Sequence, residues 1–456
     1  MATFLFTTMP SNDLGLLTRS LPIGRELRAR GHRVVCSNPA RAPRRLIEEA
    51  GFENLLPDHP IFTFMGWPGL RSAVGALRGG PGRPAHRQLV ALARALPLRR
   101  APPADDVWGM DHAGAMLGMA DAGFVRANVR GYLAHIEALA PDAVVDFWNP
   151  MAVLAARAAG RPVATVIQAD AHPSSRGFVW WKAPPAPPPT CLPAVNRVAA
   201  ELGLPPVSRL EELSVGALTI AVGSPETDPL PPGAGVEYVG TILWERAGAA
   251  LPAWLDGLGR ERPLVWVYSG NPRYRVSGDT LDSEVVLEAT IEALAGEDLD
   301  VVLTTSHHAL PARLARLPAR FHHAAFLPGL AMARRADVLV HHGGYGSCQA
   351  GLEAGKPAVV VPTFSERESN ARRLEALGAA VRVEVTRSGG RKAVSPGVLR
   401  DAVRRALTEP AIGRRARDLG DRLRGLGGAP RAAALIEGLL APRGGGRTVV
   451  RSPALA

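Results

Sequence analysis

The strongest chemical signal in this 456-residue chain is the run HHGGYGSC, which places His342, Gly343, Gly344, Gly346 and Ser347 within six positions. A valine-rich stretch before it reads as a strand end. The stretch SCQAGLEAG after it reads as a helix closed by Pro357. Glycines at such a strand-to-helix turn allow positive φ and let an anion approach the backbone amides. The unpaired N–H groups and dipole of the following helix favour a phosphate there. Ser347 adds a hydroxyl and His342 an imidazole. Glycines that serve only a tight turn are the competing reading. Two familiar phosphate motifs are not met: HGGYGSC departs from GxGxxG, and GLEAGKP is one residue short of a P-loop, with Pro357 where Ser or Thr belongs.

The N-terminal half offers candidates of another kind. Asp13, flanked by Asn12 and Ser11 in MPSNDLG, is a carboxylate able to accept a proton from an attacking hydroxyl. The plainer role for such an aspartate is a turn or helix cap. Asp170 and His172, in QADAHPSS, are further candidates. Trp148, Trp180 and Trp181 can stack on a flat ligand. The histidine pairs 307/308, 322/323 and 341/342 lack the spacing of metal ligands, so no metal is expected. Cys36, Cys191 and Cys348 lie far apart with no CxxC, which argues against a disulfide framework or zinc site and for a reducing compartment.

The elements that position these residues read as an α/β protein in two halves. TFLFTT, a helical LLTRSLPIGRELRARGH and RVVCS form a βαβ start, and the alternation returns at DAVVDF, MAVLAARAAG and PVATVI. A second series runs through PLVWVYSGNP, LDVVLTTS, ADVLVHHGG and PAVVVPTF, valine-rich as strands buried on both faces are. The expected domains are 1–240, a linker at 241–262, 263–440 with its last helices free to pack back on the first half, and a disordered tail at 441–456. WWKAPPAPPPTCLP reads as an exposed loop, and Pro57 to Asp121 as irregular helices and loops. Open parallel sheets bind ligands at the carboxyl ends of their strands, in the cleft between such halves.

The net charge of +11 is spread along the chain as arginine, without a dense basic run, so a nucleic-acid partner is not expected. The N-terminus lacks the features of a secretory signal, and no apolar run reaches bilayer-spanning length. A cytoplasmic protein is the expectation, with peripheral contact to an anionic membrane left open.

Taken together, His342-Gly343-Gly344, Ser347, Gly355-Lys356-Pro357, Pro362 and Asn370-Ala371 resemble the donor signature of family 1 GT-B glycosyltransferases of the macrolide-modifying type. The resemblance implies two Rossmann-like doubly wound domains facing a central cleft. It also implies inverting, metal-independent transfer of a sugar from a UDP- or dTDP-sugar to a small natural-product acceptor. The nucleotide sugar is a co-substrate, and no cofactor is needed. By the same resemblance Gly344, Gly346, Ser347 and His342 meet the diphosphate, and Ser269 and Gly270 in YSGNP form the facing loop. Phe326 and Leu327 in FLPG hold the base.

Several positions depart from the family pattern. Glu366-Arg367 stands where an acidic residue and glutamine bind sugar hydroxyls, and Arg367 has no acceptor atom. Ala350 replaces the glutamate that grips the ribose. Leu16 replaces the catalytic histidine, which turns attention to Asp13, and Asp146 lies where that histidine's orienting aspartate is expected. Trp148, Asp170 and His172 are assigned to the acceptor. Leu16, Ala350 and Arg367 leave the alternative of a catalytically silent homologue that assists another transferase, and TRSLPI with the basic balance leaves that of a transferase acting on a lipid-linked acceptor.

Overall fold

The computed structural model describes residues 1–12, 14–55, 86, 99–102, 104, 106–246, 248–270, 282–388 and 391–440. Asp13, the tail 441–456 and most of the irregular stretch after Pro57 lie outside the described residues. Among those described, two parallel sheets dominate, with strand orders β3-β2-β1-β4-β5-β6-β7 and β10-β9-β8-β11-β12-β13. In the first sheet β1 is Thr3–Thr8, β2 Arg33–Ser37, β3 Glu53–Asn54, β4 Ala143–Phe147, β5 Val163–Ile167, β6 Leu218–Ala221 and β7 Glu237–Tyr238. In the second, β8 is Leu264–Tyr268, β9 Asp300–Thr304, β10 Phe321–Ala324, β11 Val338–His341, β12 Ala358–Val360 and β13 Ala380–Arg382. This is the α/β, GT-B arrangement of two Rossmann-like sheets.

Each sheet changes direction once. β1 pairs with both β2 and β4, and β8 with both β9 and β11. The chain leaves the switch-point strands of both sheets through turns into helices: α1 (Gly15–Ala29) after β1, α3 (Pro150–Ala158) after β4 and α5 (Tyr345–Glu353) after β11. Further helices are α2 (Ala122–Leu139), α4 (Asp282–Leu294), α6 (Ser365–Ala376) and α7 (Gly428–Gly438). The strands are apolar at nearly every position because helices cover both faces. All five residues of β4, Asp146 included, are buried.

Local signals explain the boundaries. Asp121 caps α2 by accepting from the amides of Gly123 and Phe124, and Pro150 opens α3 where its missing N–H costs nothing. α5 begins at Tyr345, two residues before the start expected from sequence, so Gly346 lies in its first turn. α7 crosses back to the N-terminal domain, where Ala432, Ala433 and Ile436 join the core formed by Phe4, Leu21 and Leu27.

The proline-rich loop is also corrected in part. Trp180 and Trp181 are half-buried: the Trp180 Nε1–H donates to Ser369 Oγ at 2.9 Å, and Arg372 lies 4.6 Å over the Trp181 ring. Both tryptophans are taken up by α6 of the opposite domain, which removes them as free stacking surfaces.

Candidate active site

The Gly343 amide of the glycine turn donates to His341 Nδ1 at 3.1 Å, whereas the first amides of the helix after it are left uncovered. Gly344 takes the N-cap position of α5, and no side chain caps the helix. By helix geometry the N–H groups of Tyr345 and Gly346 have no carbonyl one turn back. A Cβ added at Gly346 would meet nothing within 4 Å, so the space above this residue is open. Gly343 has φ +86°, a conformation that favours glycine. The Asn370 Nδ2–H donates to Gly343 O at 3.0 Å and to Glu366 at 2.8 Å, so the Asn-Ala element of the signature fixes the turn from α6.

Ser269 and Gly270 close the other side. The His342 ring stands between the two loops: a Cβ on Gly270 would lie 3.1 Å from its Cε1, and one on Gly344 would lie 2.6 Å from its Nε2. Both glycines are therefore needed to make room for the imidazole. Burial, and then the nearby Arg367 cation, hold the His342 pKa well below its usual value, so the ring is neutral. Its Nδ1 lies 3.5 Å from Tyr268 O. The tautomer with a proton on Nδ1 faces that carbonyl and leaves Nε2 as an acceptor. Arg367 itself donates to Thr363 Oγ1 at 2.6 Å, and its Cβ would sit 3.1 Å from a Cβ on Gly343. The residue is thus packed against the turn through its backbone and Cβ, with its guanidinium tied to Thr363.

Around Glu366 the two domains meet in a chain of hydrogen bonds that sequence reasoning missed. Arg19 on α1 donates to Gln168 Oε1 (3.1 Å), and Gln168 donates to Glu366 Oε1 (3.3 Å). Glu366 in turn shares Asn370 with the glycine turn. Burial raises the Glu366 pKa, and these donors oppose the rise. Tyr345 reaches across from the turn into the N-terminal domain, where its hydroxyl donates to Val222 O at 2.7 Å and Arg19 lies 4.7 Å over its ring. No spacing rule flags these partners, because they stand more than 120 positions apart.

The N-terminal candidates fall differently. Asp146 is 1% exposed; Thr7 Oγ1 donates to one carboxylate oxygen at 2.6 Å and the Asn149 amide to the other at 2.9 Å. Burial pushes its pKa up to about 7. In this setting Asp146 braces the switch point between β1 and β4, and direct contact with an acceptor is not available to it. Asp170 is fully buried in an ion pair with Arg373 of α6, so it is an interdomain brace and not a free acid or base. His172 is 3% exposed and accepts from the Ser174 amide at 3.1 Å, a turn-stabilising role. Trp148 is half-buried at φ +54°, an uncommon conformation for a bulky residue, and packs against the N-terminal core. Leu16 packs against the neighbouring core cluster.

In the loop from Phe326 to Gly329, Leu327 is buried, whereas Phe326 is exposed and carries His307 stacked on it at 4.2 Å. Gln349, beside Ala350, is buried with its Oε1 unpartnered.

Comparison with known proteins agrees with this arrangement. Residues 288–424 match the family model described as the C-terminal domain of erythromycin biosynthesis protein CIII-like proteins. Along 440 residues the chain is 28% identical to the O-mycaminosyltylonolide 6-deoxyallosyltransferase of Streptomyces fradiae, covering 91% of this chain and 92% of that one. The chain is similar to the GT-B glycosyltransferases along nearly its whole length. Within that group, this transferase is 34% identical to the 4'-demethylrebeccamycin synthase of Lentzea aerocolonigenes over 189 residues, which span 41% of each chain. It shares its fold with the glycosyltransferase SnogD of Streptomyces nogalater (TM-score 0.66, 20% identity, 96% of this chain and 100% of that one). The fold is also that of the glycosyltransferase VinC, solved in complex with dTDP (TM-score 0.63, 19% identity, 96% and 99%).

Proposed function

We propose that this transferase moves a sugar from a UDP- or dTDP-sugar to a small natural-product acceptor, with inversion at the anomeric carbon. The observation that carries the proposal is the uncapped N-terminus of α5, open above Gly346 and faced by Ser269 and Gly270. The dTDP in the VinC structure and the deoxysugar named for the Streptomyces fradiae relative support a nucleotide-linked donor.

In the proposed step the acceptor oxygen attacks C1 as its proton passes to a carboxylate. The bond from C1 to the diphosphate breaks, and the diphosphate leaves with an added negative charge. The free amides of Tyr345 and Gly346 and the α5 dipole meet that charge in place, without reorganising, and Arg367 adds a cation near the turn. Neutral His342 spaces the two loops. Glu366 is available to accept from sugar hydroxyls once Gln168 gives way. The proton acceptor we assign is Asp13, which lies between β1 and α1 in the sequence.

The assignment is tested by assaying transfer and donor hydrolysis across UDP- and dTDP-sugars for the native protein and Asp13→Asn. Turnover is expected to fall by about 100-fold or more, the range for loss of a positioned general base, with donor affinity kept. Unchanged turnover removes Asp13 from the mechanism. A native protein that binds donor but transfers and hydrolyses none of the sugars overturns the transferase assignment itself.

A further inference from the structure

The first helix of the chain carries a charge into its buried side. Arg19 belongs to the buried set of α1, with Leu17, Ser20, Leu21 and Ile23, and is only 8% exposed. Arginine keeps its proton in a protein, and a buried charge is costly unless something pairs with it. Among the described residues no carboxylate pairs with Arg19. Its Nη2 donates to the neutral amide of Gln168 at 3.1 Å, and its Nη1 is buried without a partner. Arg373, in the same seam between the domains, has instead the carboxylate of Asp170.

Two contacts fix where the guanidinium stands. Its Cζ lies 4.7 Å over the ring of Tyr345, the first residue of α5. That ring is itself held in place, because its hydroxyl donates to Val222 O at 2.7 Å. Through Gln168 the guanidinium is also linked to Glu366, by a bond of 3.3 Å that is long for a hydrogen bond and so is readily exchanged. Arg19 is therefore tied both to the bare start of α5 and to the carboxylate that is open to sugar hydroxyls. In a nucleotide sugar bound by those two, the bond that breaks lies between them.

We infer that Arg19 is a catalytic residue supplied by the N-terminal domain, whose fork donates to the β-phosphate of the donor. When the sugar takes the place of Gln168 on Glu366, Nη2 is released beside the Nη1 that is already free. The two parallel N–H groups match a phosphate bidentately. As the acceptor oxygen bonds to C1 and its proton passes to the base, the electron pair of the breaking C1–O bond goes to the β-phosphate oxygen. Arg19 meets that charge without giving up a proton. The inference rests on the nucleotide-sugar reading above, and it makes stabilisation of the leaving group depend on both domains being in place.

The test is calorimetry of UDP and UMP, and of dTDP and dTMP, with the full-length native protein, Arg19→Met and Arg19→Lys. Turnover is measured alongside with the UDP- or dTDP-sugar that the native protein uses. Methionine keeps an apolar stem and removes the fork. In Arg19→Met the diphosphate should bind about tenfold or more weakly, the range for a lost hydrogen bond to a charged group. The monophosphate has no β-phosphate to lose, so its affinity should stay within about twofold. The kcat should fall about 100-fold or more, as on removal of one oxyanion donor. Arg19→Lys, a charge without the fork, should lie between the two. Native-like diphosphate affinity in Arg19→Met overturns the assignment. An equal loss of diphosphate and monophosphate also overturns it, because the residue then acts only on the domain seam. Native turnover in Arg19→Met removes Arg19 from the chemistry. If Arg19→Met weakens the diphosphate alone but the native protein transfers no sugar, the Arg19 contact stands and the transferase reading falls. A native protein that binds none of the four nucleotides removes the donor reading itself.

Discussion

The turn after β4 and the turn after β11 hold the same place in two similarly wound sheets, yet they treat the helix that follows in opposite ways. After β4, Asn149 folds its side chain back to accept from the Ala152 amide and caps α3. Its Nδ2 is spent on Thr8 O (3.0 Å) and Tyr132 OH (2.5 Å), and Asp146 takes the Asn149 amide. The turn is closed and satisfied by its own atoms. After β11 the equivalent position is Gly344, which has no side chain to offer, and α5 keeps its first amides bare. One half of the molecule spends its switch point on stability; the other leaves it open. A helix N-terminus becomes an anion site only when the chain declines to cap it.

Substitutions that reverse either condition test this contrast. The largest effect is expected for Gly346→Val: a side chain in the open space above α5 should weaken UDP or dTDP binding by about 100-fold or more by calorimetry, since the phosphate amides of such a helix end are blocked. Because an added Cβ there meets no protein atom within 4 Å, the thermal midpoint should barely move. Retained affinity would break the comparison. Asn149→Ala should do the reverse, costing about 2–4 kcal/mol in chemical denaturation through the lost cap and the unpaired Tyr132 and Thr8 groups, with nucleotide affinity kept.

Two pH measurements sharpen it further. Burial raises the Asp146 pKa to about 7, so the folded state holds its proton more tightly than the unfolded chain. Its contribution is therefore lost as pH climbs from the ordinary aspartate range through about 7. Native protein should lose stability relative to Asp146→Asn over that interval, and parallel stability curves would show the carboxylate to be ionised throughout. The smallest effect is expected at the other turn. His342 is held neutral, so affinity for an intact nucleotide sugar should change by less than about twofold between pH 8 and 6. A steep rise on acidification would mean that the imidazole takes up a proton and donates to the diphosphate.

Most of the glycine turn was legible from sequence because its determinants are local. Glycines at 343, 344 and 346, followed by a helical run and Pro357, specify a bare turn whatever surrounds it. The signature also pointed to Asn370, although not to its hold on Gly343 O. Asp146, Asp170 and His172 were found as polar residues near strand ends, but nothing in the sequence tells a buried brace from an exposed acid. Packing made that distinction: β4 is covered on both faces, and Arg373 meets Asp170 from 203 positions away.

What the sequence by itself determined is the alternation of valine-rich strands and helices, and with it two wound sheets and an uncapped helix end in the second. Periodicity and glycine placement act over a few residues, so they can be read along the chain. Which polar groups lie open to a ligand was decided only by the tertiary structure. The Arg19–Gln168–Glu366 chain, the Tyr345 contact with Val222 and the Trp180 bond to Ser369 each join residues distant in the sequence. Burial, pairing and enclosure are properties of surfaces brought together, and they exist only once both domains have packed.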